Sequence, residues 1–444
     1  MTSLKTPYIQ APDRAIVDEQ VLIRVHNLEP CQPVSVASFL QYRDFRFAGI
    51  GHFYSDERGQ VDLAKFTSLG GTYTGVDPMG IFSSAVGVVS RKGIVRLIVF
   101  NSTDELDYDL SVWSGHISFD FFHKYVYYKE AVIAHTGLYI CGSSMIRLYL
   151  APGIQRVPVK TADGLRGVLF VPPGPGPFPA VIDMFGGVGN CVEIRAALYA
   201  KRGFMSLALG YINYDDLPVQ QITEIKFDYF SRAIDFMLSL SKARKDGIAM
   251  VGTSLSSPII LNMAIRDPRV KLVISVNTAA FLNLDPKSQS LCPTSSAVDI
   301  GTWSSYFFRR GCLEVGRNEH STIEPHVVAA RAPLAHTHRP KIVYCIGTHD
   351  AGVPSLETAQ FVKSHFQKYG RGDQVEIITI PGQGHLMEPC YMPMADVIPM
   401  TKALDVMINY GGLWKTHSKS QELGWHTLIG VLEKYHKSSM NSKL

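Results

Sequence analysis

The C-terminal two thirds of the chain alternate between strand-like and helix-like segments, and this pattern constrains the fold more than any other feature. Short apolar runs occur at residues 180–185, 204–210, 248–251, 272–276, 341–346 and 375–380. Between them, apolar residues recur at helical spacing at 194–201, 224–240, from Ser256 onward and at 355–369. Because parallel strands need a crossover connection, usually a helix, the pattern predicts an α/β fold with a mostly parallel sheet covered on both faces.

The N-terminal third has a different pattern. Residues 1–145 contain β-type runs such as VLIRVHNL, VSVASFLQY, GIVRLIVFN and YVYYKEAVIA, at 21–28, 34–42, 93–101 and 125–134. Turn-rich stretches separate these runs, and helical periodicity is almost absent. We therefore expect an antiparallel β-sandwich domain over 1–145, followed by the α/β domain over 146–437.

Residues 281–339 interrupt the alternation and are rich in Ser, Pro and Arg. A segment of this length and composition is an insertion, and it fits a cap over a substrate pocket and an ordinary surface excursion equally well. The last residues, 438–444, are polar and are expected to form a flexible tail.

The composition excludes several classes of protein. With 444 residues, 46% of them hydrophobic, the chain can bury a large core, and its net charge of +4 lacks the dense basic patches of a nucleic-acid binder. Seven cysteines without C-x-x-C spacing predict neither a zinc site nor a disulfide framework, so no metal is expected. No apolar run reaches the ~18 residues of a transmembrane helix, and no secretory signal is present, which favours an intracellular setting.

A candidate nucleophile lies in the segment GIAMVGTSLSSPIILNMA, residues 247–264. An apolar run, a tight turn and a helical pattern place Ser254 on a strand-to-helix elbow similar to G-x-S-x-G. At such an elbow the serine hydroxyl projects from the turn, and the next helix directs its N-terminal N–H groups towards it. Ser256 stands where the pattern has its last glycine, so a plain structural turn is the alternative.

Two further residues complete a candidate triad. A serine hydroxyl needs a histidine to take its proton and a carboxylate to orient that histidine, and α/β-hydrolases supply them in the chain order Ser, Asp or Glu, His. Asp350 ends one predicted strand, and His385 lies in a glycine-rich loop after the next, so both can reach the sheet edge that carries Ser254. Taken singly, Asp350 could cap a helix and His385 could be an ordinary loop residue, whereas Glu388 is expected to be a structural partner.

An oxyanion hole needs two backbone donors. The N–H of Leu255, directly after the nucleophile, is one candidate. The other comes from the loop after the strand ending in Asp183-Met184-Phe185, where Gly187 is the predicted donor. A plain strand-to-helix turn explains the same residues.

The chain ends in Ser442-Lys443-Leu444, the tripeptide that a peroxisomal import receptor reads. We therefore expect import into the peroxisomal matrix through contact with that receptor.

Several stretches resemble the family of acyl-CoA thioesterases and bile acid-CoA:amino acid N-acyltransferases. They are LGGTYTGVDPMG at 69–80, LFVPPGPGPFPAVIDMFGG at 169–187, YINYDDLP at 211–218, the Ser254 elbow and PGQGHLMEPCYMP at 381–393. The resemblance implies an N-terminal β-sandwich, a C-terminal α/β-hydrolase domain and a triad of Ser254, Asp350 and His385. It also implies an acyl-CoA substrate, whose CoA is part of the substrate, so no separate cofactor is expected.

Within the family that the chain resembles, the acyltransferases use cysteine as the nucleophile and the thioesterases use serine, so Ser254 favours thioester hydrolysis. The chain departs from the family at Ser256, where glycine is typical. Three other functions stay open: transfer of the acyl group to glycine or taurine, acyl-CoA binding without catalysis, and general carboxylesterase activity.

Overall fold

The structure is a computed structural model. It describes residues 6–88, 96–122, 124, 133, 136–187, 189–219, 224, 226–278, 307–309, 312–314, 338–399 and 407–441.

Over its described residues, the N-terminal region contains nine strands in two sheets. They are β1 (Tyr8–Gln10), β2 (Arg14–Ile16), β3 (Arg24–His26), β4 (Pro33–Tyr42), β5 (Phe45–Tyr54), β6 (Val61–Asp62), β7 (Val86–Val88), β8 (Leu106–Ser114) and β9 (Tyr139–Leu148). The larger sheet has the order β2-β9-β8-β4-β5-β7, with all pairs antiparallel except β2 with β9, and β1, β3 and β6 form the smaller antiparallel sheet. Apolar side chains of both sheets share one core, so the predicted sandwich is confirmed.

One N-terminal strand expected from the sequence is not formed, and another lies almost entirely outside the described residues. The run at 93–101 is not a strand over its described residues, 96–101, so that expectation is wrong. The apolar run reflects burial and not strand pairing. Leu97 and Val99 are only 2% and 1% exposed, and among the described residues they pair with no strand. The run at 125–134 lies outside the described residues except for position 133, which is helical.

The C-terminal region is built on an eight-stranded sheet in the order β10-β11-β13-β12-β14-β15-β18-β19. Its strands are β10 (Gln155–Lys160), β11 (Arg166–Val171), β12 (Phe178–Met184), β13 (Met205–Gly210), β14 (Ala243–Thr253), β15 (Val270–Val276), β18 (Lys341–Gly347) and β19 (Val375–Ile380). From β13 to β19 every pair is parallel, and β10 and β11 form an antiparallel hairpin at one edge. The mostly parallel α/β fold is therefore confirmed.

Helices connect the parallel strands. They are α2 (Ile194–Lys201), α3 (Phe227–Ser239), α4 (Ser256–Arg266) and α5 (Ser355–Lys368). A further helix, α6 (His417–Asn441), follows the last described strand, and a short α1 (Gly80–Ser83) lies in the N-terminal region. Single 3-10 turns occur at Gly372–Gln374 and Trp414–Thr416. α4 is buried on all sides between Ser256 and Ile265, so the segment that follows the elbow is fixed on every face. Within the described ranges, no helix combines the length and the apolar character that a bilayer span requires.

The two regions share a continuous core. Apolar side chains of the N-terminal sheets pack in the same cluster as Tyr199 of α2 and Trp425 of α6. Asp18, whose side chain is fully buried, pairs with Lys201 and Arg202 and accepts a hydrogen bond from the Trp425 indole. The N-terminal sandwich thus packs directly against α2 and α6 of the α/β domain.

Of the predicted insertion at 281–339, the structure describes only β16 (Phe307–Arg309), β17 (Cys312–Glu314) and positions 338–339. β16 and β17 join β20 (Val397–Pro399) and β21 (Met407–Asn409) in a small separate sheet. The flexible tail expected over 438–444 is wrong for its first four positions, because α6 continues to Asn441. Residues 442–444, with the predicted targeting tripeptide, lie outside the described residues.

Candidate active site

Ser254 lies on a sharp turn between β14 and α4. Its φ is 54°, a left-handed conformation that is strained for any residue except glycine. The turn is fixed by the Ser254 amide, which donates to the Val276 carbonyl at 2.9 Å at the end of the adjacent strand β15. Ser254 is half-buried, at the carboxyl edge of the parallel sheet, where open α/β sheets place their ligands.

Ser256 explains how the elbow tolerates a side chain where glycine is usual. The residue is fully buried, and its hydroxyl oxygen accepts the Thr253 amide at 2.7 Å. The same hydroxyl donates to the Met184 carbonyl at 2.8 Å, at the end of β12. Ser256 therefore connects the turn at Ser254 to the end of β12, from which the loop with Gly186 and Gly187 starts.

The structure brings Asp350 and His385 together. His385 Nδ1 lies 3.0 Å and 3.1 Å from the two Asp350 carboxylate oxygens, and both side chains are 3% exposed. The carboxylate also accepts the amides of Gly352 at 2.8 Å and Val353 at 3.1 Å and the Ser355 hydroxyl at 2.6 Å. A carboxylate at this position holds the N–H of the neutral imidazole on Nδ1, so that Nε2 is the ring nitrogen without a proton.

The ring of His385 is held from other sides as well. It stacks on the Tyr410 phenol with ring centroids 4.9 Å apart, and its amide donates to the Tyr410 carbonyl at 2.8 Å. Burial raises the pKa of Tyr410 above its ordinary value, which keeps the phenol neutral beside the imidazole. Gly352 lies so close that a Cβ there would come within 2.9 Å of His385 Cγ, so only glycine fits.

Asn277 positions the histidine loop, and the sequence reasoning missed it. The fully buried Asn277 follows β15, and its side-chain amide donates to the carbonyls of Gly384 at 3.0 Å and His385 at 2.8 Å. Its oxygen accepts the Gly347 amide at 2.8 Å at the end of β18. Its only sequence signal is a polar residue directly after an apolar strand at the edge that carries the site.

Ser254 lies at the same edge of the sheet as the Asp350–His385 pair, because β14 and β18 flank β15 and β19 pairs with β18. Within the described ranges, the Ser254 hydroxyl makes no hydrogen bond to His385. The structure thus joins two of the three predicted residues directly and places the third on an elbow at their edge.

The predicted oxyanion loop lies against the elbow. A Cβ on Gly186 would come within 3.1 Å of Ser254 Cβ, and one on Gly187 within 3.4 Å of the Leu255 side chain. The Tyr211 hydroxyl donates to the carbonyls of Phe185 and Gly186 and so fixes the orientation of the loop. Within the described part of the chain, the amides of Leu255 and Gly187 donate to no protein acceptor.

A buried ion pair supports both loops from below. Arg195 and Asp183 are both fully buried and lie 2.8 Å apart. The Arg195 guanidinium also donates to the hydroxyl of Thr253, directly before Ser254, and to the Met184 carbonyl at 3.1 Å. The ends of β12 and β14 are therefore fixed relative to each other.

Two protein-family models match the sequence. The model described as "Acyl-CoA thioester hydrolase/BAAT N-terminal region" matches residues 18–161, and that described as "BAAT / Acyl-CoA thioester hydrolase C terminal" matches residues 225–438. Bile acid-CoA:amino acid N-acyltransferase of Mus musculus is 31% identical over 438 residues, with 98% of each chain covered. The chain belongs to the acyl-CoA thioester hydrolase/BAAT family.

Other members of the family match over a similar extent. Bile acid-CoA:amino acid N-acyltransferase of Homo sapiens is 32% identical over 446 residues, with 98% of each chain covered. Peroxisomal succinyl-coenzyme A thioesterase of Mus musculus is 29% identical over 437 residues, covering 98% of this chain and 97% of the relative. The relatives thus include both hydrolases and acyltransferases.

Three cysteines of the chain are buried, and their burial affects the ionisation of their thiols. Burial raises the pKa of the Cys191 thiol, and it raises the pKa of the Cys345 and Cys390 thiols to about 12, which disfavours the thiolate near neutral pH.

We expect Ser256→Ala to destabilise the protein by about 1–3 kcal/mol, because it leaves the Thr253 amide and the Met184 carbonyl buried without this partner. Urea unfolding of both proteins measures the difference. The control is Ser239→Ala, an exposed serine at the end of α3, for which we expect a change within about 0.5 kcal/mol. Equal stability of the two variants would contradict the assigned role of Ser256.

Proposed function

We propose that the protein hydrolyses fatty acyl-CoA to free fatty acid and CoA through Ser254, Asp350 and His385. The observation that carries the proposal is a serine on the strained elbow, at the sheet edge that holds the buried Asp350–His385 pair. Family relatives named as acyl-coenzyme A thioesterases support the substrate class.

In the proposed mechanism each of these groups has one chemical role. Ser254 Oγ attacks the thioester carbonyl carbon while His385 Nε2 takes the hydroxyl proton. The oxyanion that forms is held by the amides of Leu255 and Gly187. The C–S bond then breaks, and the CoA sulfur leaves with the proton from His385. Water, deprotonated by the same imidazole, then attacks the acyl-enzyme ester. The bond between the acyl carbon and Ser254 Oγ breaks, His385 returns the proton to Oγ, and the fatty acid leaves.

Asp350 keeps the imidazole in the tautomer that this reaction needs. Its carboxylate is held by two backbone amides and the Ser355 hydroxyl, so it does not have to reorient when the imidazolium forms. Such preorganised groups stabilise developing charge without a reorganisation cost at the moment of reaction.

Transfer of the acyl group to glycine or taurine is the second candidate, since relatives of the chain are named as amino acid N-acyltransferases. The nucleophile favours hydrolysis. A serine acyl-enzyme is an oxygen ester, which reacts with amines more slowly than the thioester that a cysteine would form. The family likeness assigns cysteine to the transferases and serine to the thioesterases.

We expect Ser254→Ala to lower CoA release by on the order of 10⁴-fold, because the acyl-enzyme cannot form. A thiol-release assay over short, medium, long and bile-acid-type acyl-CoAs measures this and gives the substrate class. The Ser239→Ala protein serves as the control and should keep the wild-type rate.

The same assay, repeated with glycine or taurine, separates the alternatives. Free acid as the main product supports hydrolysis, whereas amide as the main product would replace it with transfer. Unchanged CoA release by Ser254→Ala would remove the triad from the mechanism. Turnover of simple esters but of no acyl-CoA would indicate a general carboxylesterase, and binding of acyl-CoA without turnover would indicate a carrier.

The proposed location is the peroxisomal matrix, reached through recognition of Ser442-Lys443-Leu444 by the import receptor. One relative, from Mus musculus, is named as a peroxisomal thioesterase. A fluorescent fusion with the tag at the N-terminus should colocalise with a peroxisomal marker, and Leu444→Ala should disperse it. Equal distribution of both proteins would contradict the assignment.

A further inference from the structure

One buried ion pair joins the N-terminal region to the loop that carries His385. Arg96 Nη2 lies 2.5 Å from Glu388 Oε1, with side-chain exposures of 4% and 9%. Arg96 comes from the buried segment after β7, whereas Glu388 follows His385 by three residues. The contact therefore spans 292 residues of sequence and ends inside the active-site loop.

The same guanidinium reaches the other loop of the site. It lies over the ring of Phe185, 5.8 Å from the centroid, and Phe185 begins the oxyanion loop. Arg195 also lies over this ring at 5.1 Å. The Phe185 ring is thus held by two cations, one from each region of the molecule.

Arg96 also acts on the ring that supports the histidine. Burial is the larger influence on Tyr410 and raises its pKa, and the positive charge of Arg96 opposes that rise. Tyr410 is therefore within electrostatic reach of Arg96, and it is the phenol on which His385 stacks. Arg96 contacts or influences the histidine loop, the oxyanion loop and the stacking partner.

We propose that Arg96 is a positioning residue that the N-terminal β-sandwich supplies to the active site. It holds the His385 loop and the Phe185–Gly187 loop at the correct separation for Ser254. The proposal rests on the proposed function, since it assumes that Ser254 is activated by His385.

A purely structural role explains this pair less well. A buried ion pair adds little net stability compared with apolar residues of similar volume, because both charges lose their hydration. The two regions are already joined by a shared apolar core and by the pairing of Asp18 with Lys201 and Arg202. What Arg96 adds is a fixed distance between two reactive loops.

The test uses the full chain and two readouts. The first is kcat and KM for CoA release, and the second is the rate at which a fluorophosphonate probe labels Ser254, which needs no knowledge of the acyl group. The variants are Arg96→Met, Arg96→Lys and, as a matched control, Arg202→Met. Arg202 pairs with buried Asp18 between the same two regions, and its contacts among the described residues include none with the site loops.

We expect Arg96→Met to lower kcat by about 10- to 100-fold, with KM within about twofold, because small displacements of reacting groups slow the chemical step strongly. Labelling of Ser254 should slow by a similar factor. Arg96→Lys should recover most of both rates, because within the described residues the guanidinium makes a single ion-pair contact and its Nε has no partner. Arg202→Met should keep the wild-type kcat.

If Arg96→Met does not fold because Glu388 is left unpaired, Arg96→Met/Glu388→Gln removes both charges and takes its place. We expect this folded double variant to remain slow in both readouts. Wild-type kcat and labelling in either Met variant, or an equal loss in Arg202→Met, would overturn the positioning role while the proposed function stands. A wild-type protein that the probe does not label would overturn both.

Discussion

The hydrogen bonds between the Asp350 carboxylate and the His385 imidazole are the interaction on which the site depends. They form only because β18 and β19 are adjacent and parallel, which brings the loops after both strands to one edge of the sheet. The pair is buried, and two amides and a hydroxyl supply the hydrogen bonds that water would give to an exposed carboxylate. The interaction that orients the proposed base is therefore a direct consequence of strand order.

The surrounding contacts fix the distances between three segments, which are the His385 loop, the Ser254 elbow and the loop after β12. Asn277 connects the His385 loop to the end of β18, and Ser256 connects the elbow to the end of β12. Arg195 bonds to both β12 and Thr253, the residue before Ser254. Arg96 adds a contact from the N-terminal sandwich. Asn277 directly follows β15, and Ser256 and Arg195 lie in the first turns of α4 and α2. None of the four residues needs to touch substrate for its removal to affect the chemistry.

Much of this architecture could be predicted from local sequence. The alternation of apolar runs and helical periods predicted the parallel sheet, and the turn around Ser254 and the chain order of Asp350 and His385 predicted where the site lies. Asn277 and Arg96 were missed because their partners are distant in sequence, and single residues carry no periodic signal. The run at 93–101 was predicted as a strand because it is apolar, but its described residues are buried without strand pairing. The polar character of 438–441 predicted a tail, whereas the helical backbone of α6 continues through it.

The central claim is that Ser254 becomes acylated during turnover. The most direct measurement is rapid acid quench of the enzyme mixed with the acyl-CoA that it turns over fastest, followed by proteolysis and mass spectrometry of the peptide that contains Ser254. The account predicts a transient mass increase equal to the acyl group on that peptide, absent from Ser254→Ala and increased as the time between mixing and quench approaches the turnover time. Acylation of a cysteine peptide instead, or CoA release at the wild-type rate without any acylated peptide, would contradict it.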